Sequence, residues 1–280
     1  MLSTTLRRGL AALGLGGLTA VAAGTLRLDR RTADRVDALR AAADGPVRPV
    51  DREEYAGLPD PVRDYFDAVI DDGRSRVGTA RVEQRGEFRL GGRSGSWKPM
   101  RATQDYAVDP PGFLWDASVD VYPFVPVRVV DAYERGEGSL RARLLSVVPI
   151  AAAEPGPALD EGELLRYLAE AVWFPTALLP SAGVEWEPID ARTARATLGD
   201  RGNTASLRFS FDDEGVIERV TAEERYREEE DRYRPWTGSF GEYRWYDGLR
   251  IPTEATVAWV LPDGNLPYWR ARITRVEYEP

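Results

Sequence analysis

The sequence predicts an α+β fold that is mostly antiparallel β: a single large curved sheet, a half-barrel, packed on a central helix and preceded by an N-terminal membrane segment. Three observations predict it. From Val77 onward, apolar and polar residues alternate in about a dozen short runs separated by tight turns, which is the spacing of antiparallel meanders. One strongly helical stretch, Asp160 to Pro180, interrupts those runs. An open antiparallel sheet of that width must curl, split or close, and curling around the lone helix buries a face of each.

The chain divides into a signal anchor or signal peptide at 1–26, a helical stalk and linker at 27–51, and a β-rich domain at 52–280 with no internal repeat. Gly9 to Leu26 carries no charge across 18 residues and follows Arg7 and Arg8. It is long enough to span a bilayer, and Ala20-Val21-Ala22 offers a small-residue cleavage pattern. An arginine pair before a first apolar segment favours an extracytoplasmic domain. Arg27, Arg30, Arg31, Arg35 and Arg40 behind the segment count the other way. Leu28 to Ala43 is polar and helix-prone, with Leu28, Val36 and Leu39 too sparse for a full apolar face; Asp44 to Asp51 breaks it with glycine and two prolines.

Asp60 caps a short helix with Pro61 at its first position and Val62, Tyr65, Phe66, Val69 and Ile70 on its apolar face. Strands are predicted over 81–89, 101–108, 113–121, 126–134 and 139–148, followed by a loop at 149–157 and the helix capped by Asp160. Further strands are predicted at 184–189, 191–198, 205–211, 216–226, 240–246, 253–261 and 268–278.

The chain has no cysteine and no histidine, which removes disulfides, thiol nucleophiles, Ser-His triads and the usual zinc sites. A general base must be a carboxylate, a tyrosine, Lys98 or water. A metal would have oxygen ligands only. The acidic run Phe211 to Gly215 lacks the EF-hand spacing and reads as a hairpin turn, so neither metal nor cofactor is expected. A net charge of −9 with no basic stripe argues against nucleic acid as a partner.

On the central helix, Leu164, Leu168, Ala171 and Val172 form one stripe, and Glu163, Arg166 and Glu170 another, bordered by Tyr167 and Trp173. The charged stripe has two readings. It faces a cavity, where the two glutamates bind a polar group or transfer protons, or it is a surface ion-pair ladder. Two helical turns place the glutamate Cα atoms about 10 Å apart, so only convergent rotamers suit glycoside hydrolysis. Pro175 restarts a turn, so Trp173, Phe174 and Leu178 project toward any apolar ligand. Asp116, Asp120 and Asp131 flank apolar strands near Arg128, a pattern that suits register-holding ion pairs as well as acid–base work. Trp115 and Asp116 complete the candidate binding set. The aromatic-rich C-terminal strands (Trp236, Trp245, Trp259, Trp269 and three tyrosines) suit a ligand groove or a sheet core equally.

The segments GELLRYLAEAVWFPTALLP, FLWDA, VRVVDAY, IPTEATVAWVL, YWR and ITRVEY together resemble an uncharacterised domain-of-unknown-function family of bacteria and archaea, over roughly Leu58 to Tyr278. That family implies no reaction and no catalytic residue. More distantly, the helix-plugged layout is similar to lipoprotein-carrier half-barrels of the LolA and LolB type, a likeness of architecture that implies an acyl-chain-binding concave sheet. This chain lacks the lipobox cysteine that anchors some of those carriers. Binding of a lipid-like or other apolar small molecule is the leading expectation. A carboxylate-dependent hydrolase acting on a sugar or ester, and a structural or partner-binding envelope protein, are the alternatives. The sequence leaves the oligomeric state open.

Overall fold

The computed structural model describes residues 4–43, 45–123 and 125–280, without the side chains of 4–18 and 20. Thirteen strands form one antiparallel sheet. They are β1 (Thr79–Arg89), β2 (Trp97–Ala107), β3 (Gly112–Tyr122), β4 (Val125–Glu134), β5 (Glu137–Leu144), β6 (Val148–Ala153), β7 (Val184–Asp190), β8 (Thr193–Asp200), β9 (Asn203–Phe211), β10 (Ile217–Arg227), β11 (Arg232–Tyr246), β12 (Leu249–Leu261) and β13 (Gly264–Glu279). The spatial order is β6-β5-β4-β3-β2-β1-β13-β12-β11-β10-β9-β8-β7. Two meanders are therefore stitched together by the β1–β13 pair, with Thr79 opposite Glu279.

Helices α1 (Thr4–Ala42), α2 (Asp60–Val69) and α3 (Pro157–Glu170) accompany the sheet. After α3 the chain winds through 3-10 turns at Ala171–Trp173, Pro175–Leu178 and Pro180–Ala182, because Pro175 and Pro180 cannot continue the ladder. α3 contacts β3, β4 and β5 on one wing and β9 and β10 on the other, so it lies inside the curl. Leu164, Leu168, Val172, Phe174, Leu178 and Leu179 are sealed there with α2's Val62, Tyr65, Phe66 and Val69 in one core. Rings meet across it: Tyr106 and Phe174 centroids lie 4.5 Å apart, and Trp173 stands 6.4 Å from Trp269.

Three expectations change. Residues 149–153 are not loop: they form the exposed edge strand β6, whose VPIAAA sequence has no alternation because β5 is its sole partner. Strand β11 begins at Arg232, eight residues ahead of its predicted start. The stalk at 27–51 is not free-standing. α1's C-terminal half lies on the outer face of the sheet, where Val36 and Leu39 join Ala107, Leu114, Val130 and Ala132 in a second, smaller core. Arg35–Glu134 (2.6 Å) and Arg40–Asp105 (2.9 Å) pin it there. Two apolar residues suffice because long arginines supply the remaining contact.

The expected membrane segment, 9–26, forms the N-terminal part of α1, and most of its side chains lie outside the described residues. No helix among the described residues is long and apolar enough to cross a membrane.

Candidate functional site

Helix α3 begins three residues earlier than its sequence suggests, with Pro157 in the first turn. Asp160 therefore does not cap it. The Asp160 carboxylate instead accepts from the backbone N–H groups of Gly138 (2.7 Å) and Gly156 (3.3 Å), tying the helix start to β5. This anchoring turns Glu163, Arg166 and Glu170 toward the sheet. The charged stripe is thus internal, not a surface ladder: Glu163 is only 5% exposed.

Arg166 is the hub. Its Nη1 donates to Asp131 Oδ2 at 2.5 Å and its Nε to Glu170 Oε1 at 2.8 Å, while Glu163 Oε2 stands 3.8 Å away. Its guanidinium also lies over the rings of Phe113 (4.8 Å) and Trp115 (5.1 Å). Glu170 Oε2 accepts from Gln104 Nε2 (2.7 Å) and Tyr106 Oη (3.0 Å). Behind Gln104 the chain of bonds continues: Gln84 donates to Gln104, and Trp115 Nε1 donates to Gln84 at 3.0 Å.

Three carboxylates around one guanidinium leave an excess of negative charge in a desolvated place. Burial pushes the Glu163 carboxyl up to about 8; Asp131 adds to the rise, and Arg166 and Arg225 oppose it. Burial raises Asp131 as well, against the pull of Arg166 and Arg225. Burial depresses Arg166, but Glu170, Asp131 and Glu163 more than offset it and hold the guanidinium charged. Glu163 is the group that holds a proton, because Asp131 and Glu170 take the short bonds from Arg166. The Oε2 of Glu163 and the Oδ1 of Asp131 are buried without a hydrogen-bond partner. Chemically, this is a neutral carboxylic acid in a charged cluster, poised near neutral pH.

Beyond the cluster the inward face of β1 to β4 turns apolar. The inward rows of β1 to β4 run Val82–Gln104–Trp115–Asp131 level with the cluster, then Gln84–Ala102–Ala117–Val129, then Gly86–Met100–Val119–Val127. Phe88, Val121, Val129, Phe240, Val257, Trp259 and Tyr268 on both wings are half-buried and packed against the core. These side chains form an apolar wall beside a buried charged floor.

The structure brings Glu163, Arg166, Glu170 and Trp115 together at that floor. Tyr167, Trp173, Phe174 and Leu178 are closed into the core, each at most 1% exposed. Asp116 lies elsewhere: it is on the outer face, chelated by Arg128 at 2.8 and 2.5 Å, and Arg128 in turn contacts Asp29 of α1. Strand alternation separates it from its neighbour Trp115. Sequence reasoning missed Gln84, Gln104 and Arg225. It named Asp131 only beside Arg128, three positions away and therefore on the opposite face. Among the described residues no group of three or more acidic side chains is arranged to hold a metal; Arg166 occupies the centre of the one acidic cluster.

A family described as a family of unknown function (DUF6920) matches residues 56–278. No curated protein matches the chain. Among solved structures it is similar to a LolA superfamily protein from Nitrosomonas europaea, at 11% identity and a TM-score of 0.39, over 72% of this chain and 86% of that one. It is also similar to a β-barrel-like protein of domain of unknown function DUF1849 from Brucella abortus, at 9% identity and a TM-score of 0.25, over 73% and 99%. Likenesses this distant carry nothing about a ligand.

Proposed function

We propose, for a chain that belongs to DUF6920, a family of unknown function, that it binds an amphiphilic, lipid-like small molecule in the concave groove. The observation that carries this reading is the half-buried apolar wall formed by Phe88, Val121, Val129, Val257, Trp259 and Tyr268 beside a charged floor. Apolar side chains on the inward rows that keep accessible area suit a ligand's tail. In this reading residues 9–26 tether the domain to a membrane, on its extracytoplasmic side, within reach of such molecules.

The test is direct. Purified full-length protein is extracted with organic solvent and analysed by mass spectrometry, and its tryptophan fluorescence is followed on adding dodecyl compounds. A bound lipid or a saturable fluorescence change supports the reading; protein that carries no lipid and ignores every added amphiphile refutes it.

A second reading, a hydrolase with Glu163 as proton donor, is favoured by that carboxyl's raised pKa. It is the weaker one, because the carboxyl is sealed from substrate and water. Turnover in an esterase and glycosidase panel that vanishes in Glu163→Gln, with thermal stability kept, would put it first.

A further inference from the structure

The groove wall contains one arginine whose donors are not consumed. Strand β10 carries a register shift between Ala222, opposite Trp236, and Arg225, opposite Arg234. Such a bulge re-aims the side chains beyond it. Glu223 and Glu224 are exposed, and Arg225 turns inward over Trp236 (5.1 Å) and Trp259 (5.9 Å). Its neighbours are neutralised: Arg227 meets Glu230 at 2.7 Å, and Arg234 meets Glu230 at 2.5 Å. Among the described residues Arg225 has no carboxylate within 4.0 Å; its single hydrogen bond runs from Nη1 to Tyr268 Oη at 3.4 Å. Tyr268 Oη also accepts from Trp236 Nε1 at 2.8 Å. With both acceptor positions taken, the Tyr268 hydroxyl proton is left to donate. Arg225 and Tyr268 are both half-buried, and Arg225 Nε lies beside Gly162 of α3.

We infer that Arg225 and Tyr268 form the headgroup site of the groove, and that the ligand is an amphiphile with an anionic oxygen head, a carboxylate or a phosphate monoester. The inference rests on the binding reading above and specifies its ligand. The unused N–H donors of Arg225 and the O–H of Tyr268 select an oxyanion over an alcohol or an ammonium, and half-burial strengthens the charge-assisted bonds. Asp131 and Glu163 lie close enough for Arg225 to influence them, yet neither neutralises it by direct contact. The stacked tryptophans hold the guanidinium plane fixed, so little rotamer freedom is lost when the head docks.

The test uses four probes with one tail, each below its micelle concentration: dodecanoate, dodecyl phosphate, dodecanol and dodecyltrimethylammonium. Affinities for full-length protein are read by tryptophan fluorescence and calorimetry. The expected result is that an anionic probe binds at least about tenfold more tightly than dodecanol, and that Arg225→Gln removes this advantage. Whichever of dodecanoate and dodecyl phosphate binds more tightly names the head. Dodecanol or the ammonium probe matching the anions on the wild-type protein overturns the headgroup site while leaving the groove. An anion preference that survives in a folded Arg225→Gln overturns it equally. If none of the four binds, the groove reading falls and takes the headgroup site with it. Should Arg225→Gln fail to fold, the wild-type head series alone decides.

Discussion

Replacing Glu163 with glutamine tests whether a neutral acid sits in the Arg166 cluster. The folded-state carboxyl titrates at about 8, against an ordinary value of 4.5. The pKa is raised on folding, so the stability it contributes is fully present below pH 4.5 and is lost as pH rises through 8. The whole loss is about 5 kcal/mol, and about 3 kcal/mol of it falls between pH 6 and pH 9. Glutamine has the same shape and never ionises, so Glu163→Gln removes this component. Urea unfolding of both proteins at pH 6, 7, 8 and 9 measures it. The wild-type curve should fall by about 3 kcal/mol more than the variant's across that range, and the melting-temperature gap should widen by roughly 5–10 °C. Above pH 8 the variant should be the more stable protein. Parallel stability–pH curves would show that Glu163 ionises normally and that the cluster tolerates three charged carboxylates.

Two further outcomes follow from the same packing. Arg166→Leu should destabilise the fold by about 3–5 kcal/mol at pH 7.5, because it strands Asp131, Glu163 and Glu170 without their shared cation, and acidification to pH 5 should restore part of the loss; a cost that is constant with pH in urea titrations would contradict this. Trp173→Ala should cost about 3–5 kcal/mol by thermal unfolding, since its ring is 1% exposed and meets Trp269 and Phe240; a variant that keeps wild-type stability and loses only ligand binding would return Trp173 to the groove.

What the sequence reveals of this molecule follows from period and parity. Strands such as β8 and β9 are legible because Ala194, Ala196, Leu198, Ala205, Leu207 and Phe209 bury every second position against a solvated outer face. β6 is invisible, since an edge strand exposed on both faces has no alternation to read. α3 is legible as a helix, and its spacing correctly unites Glu163, Arg166 and Glu170, but a helical wheel does not say which stripe meets the sheet. Here both do: Leu164 and Leu168 are sealed at 0%, and the charged stripe is buried on Asp131. One signal that settles part of the site was present. Trp115 and Asp116 are adjacent on a strand, so they cannot share a face, and a single groove can use only one of them. Register then assigns the rest, because Trp115 stands opposite Asp131 and Asp116 opposite Val130. The inner row holds the partner of Arg166, and the outer row holds the Arg128 pair that receives α1. Arg225 is beyond parity altogether. Counting by twos from buried Ala222 makes Glu224 inward and Arg225 outward; the bulge reverses both. The side chain that gives the groove its free positive charge is therefore set by an irregularity in the ladder, and no period in the sequence encodes it.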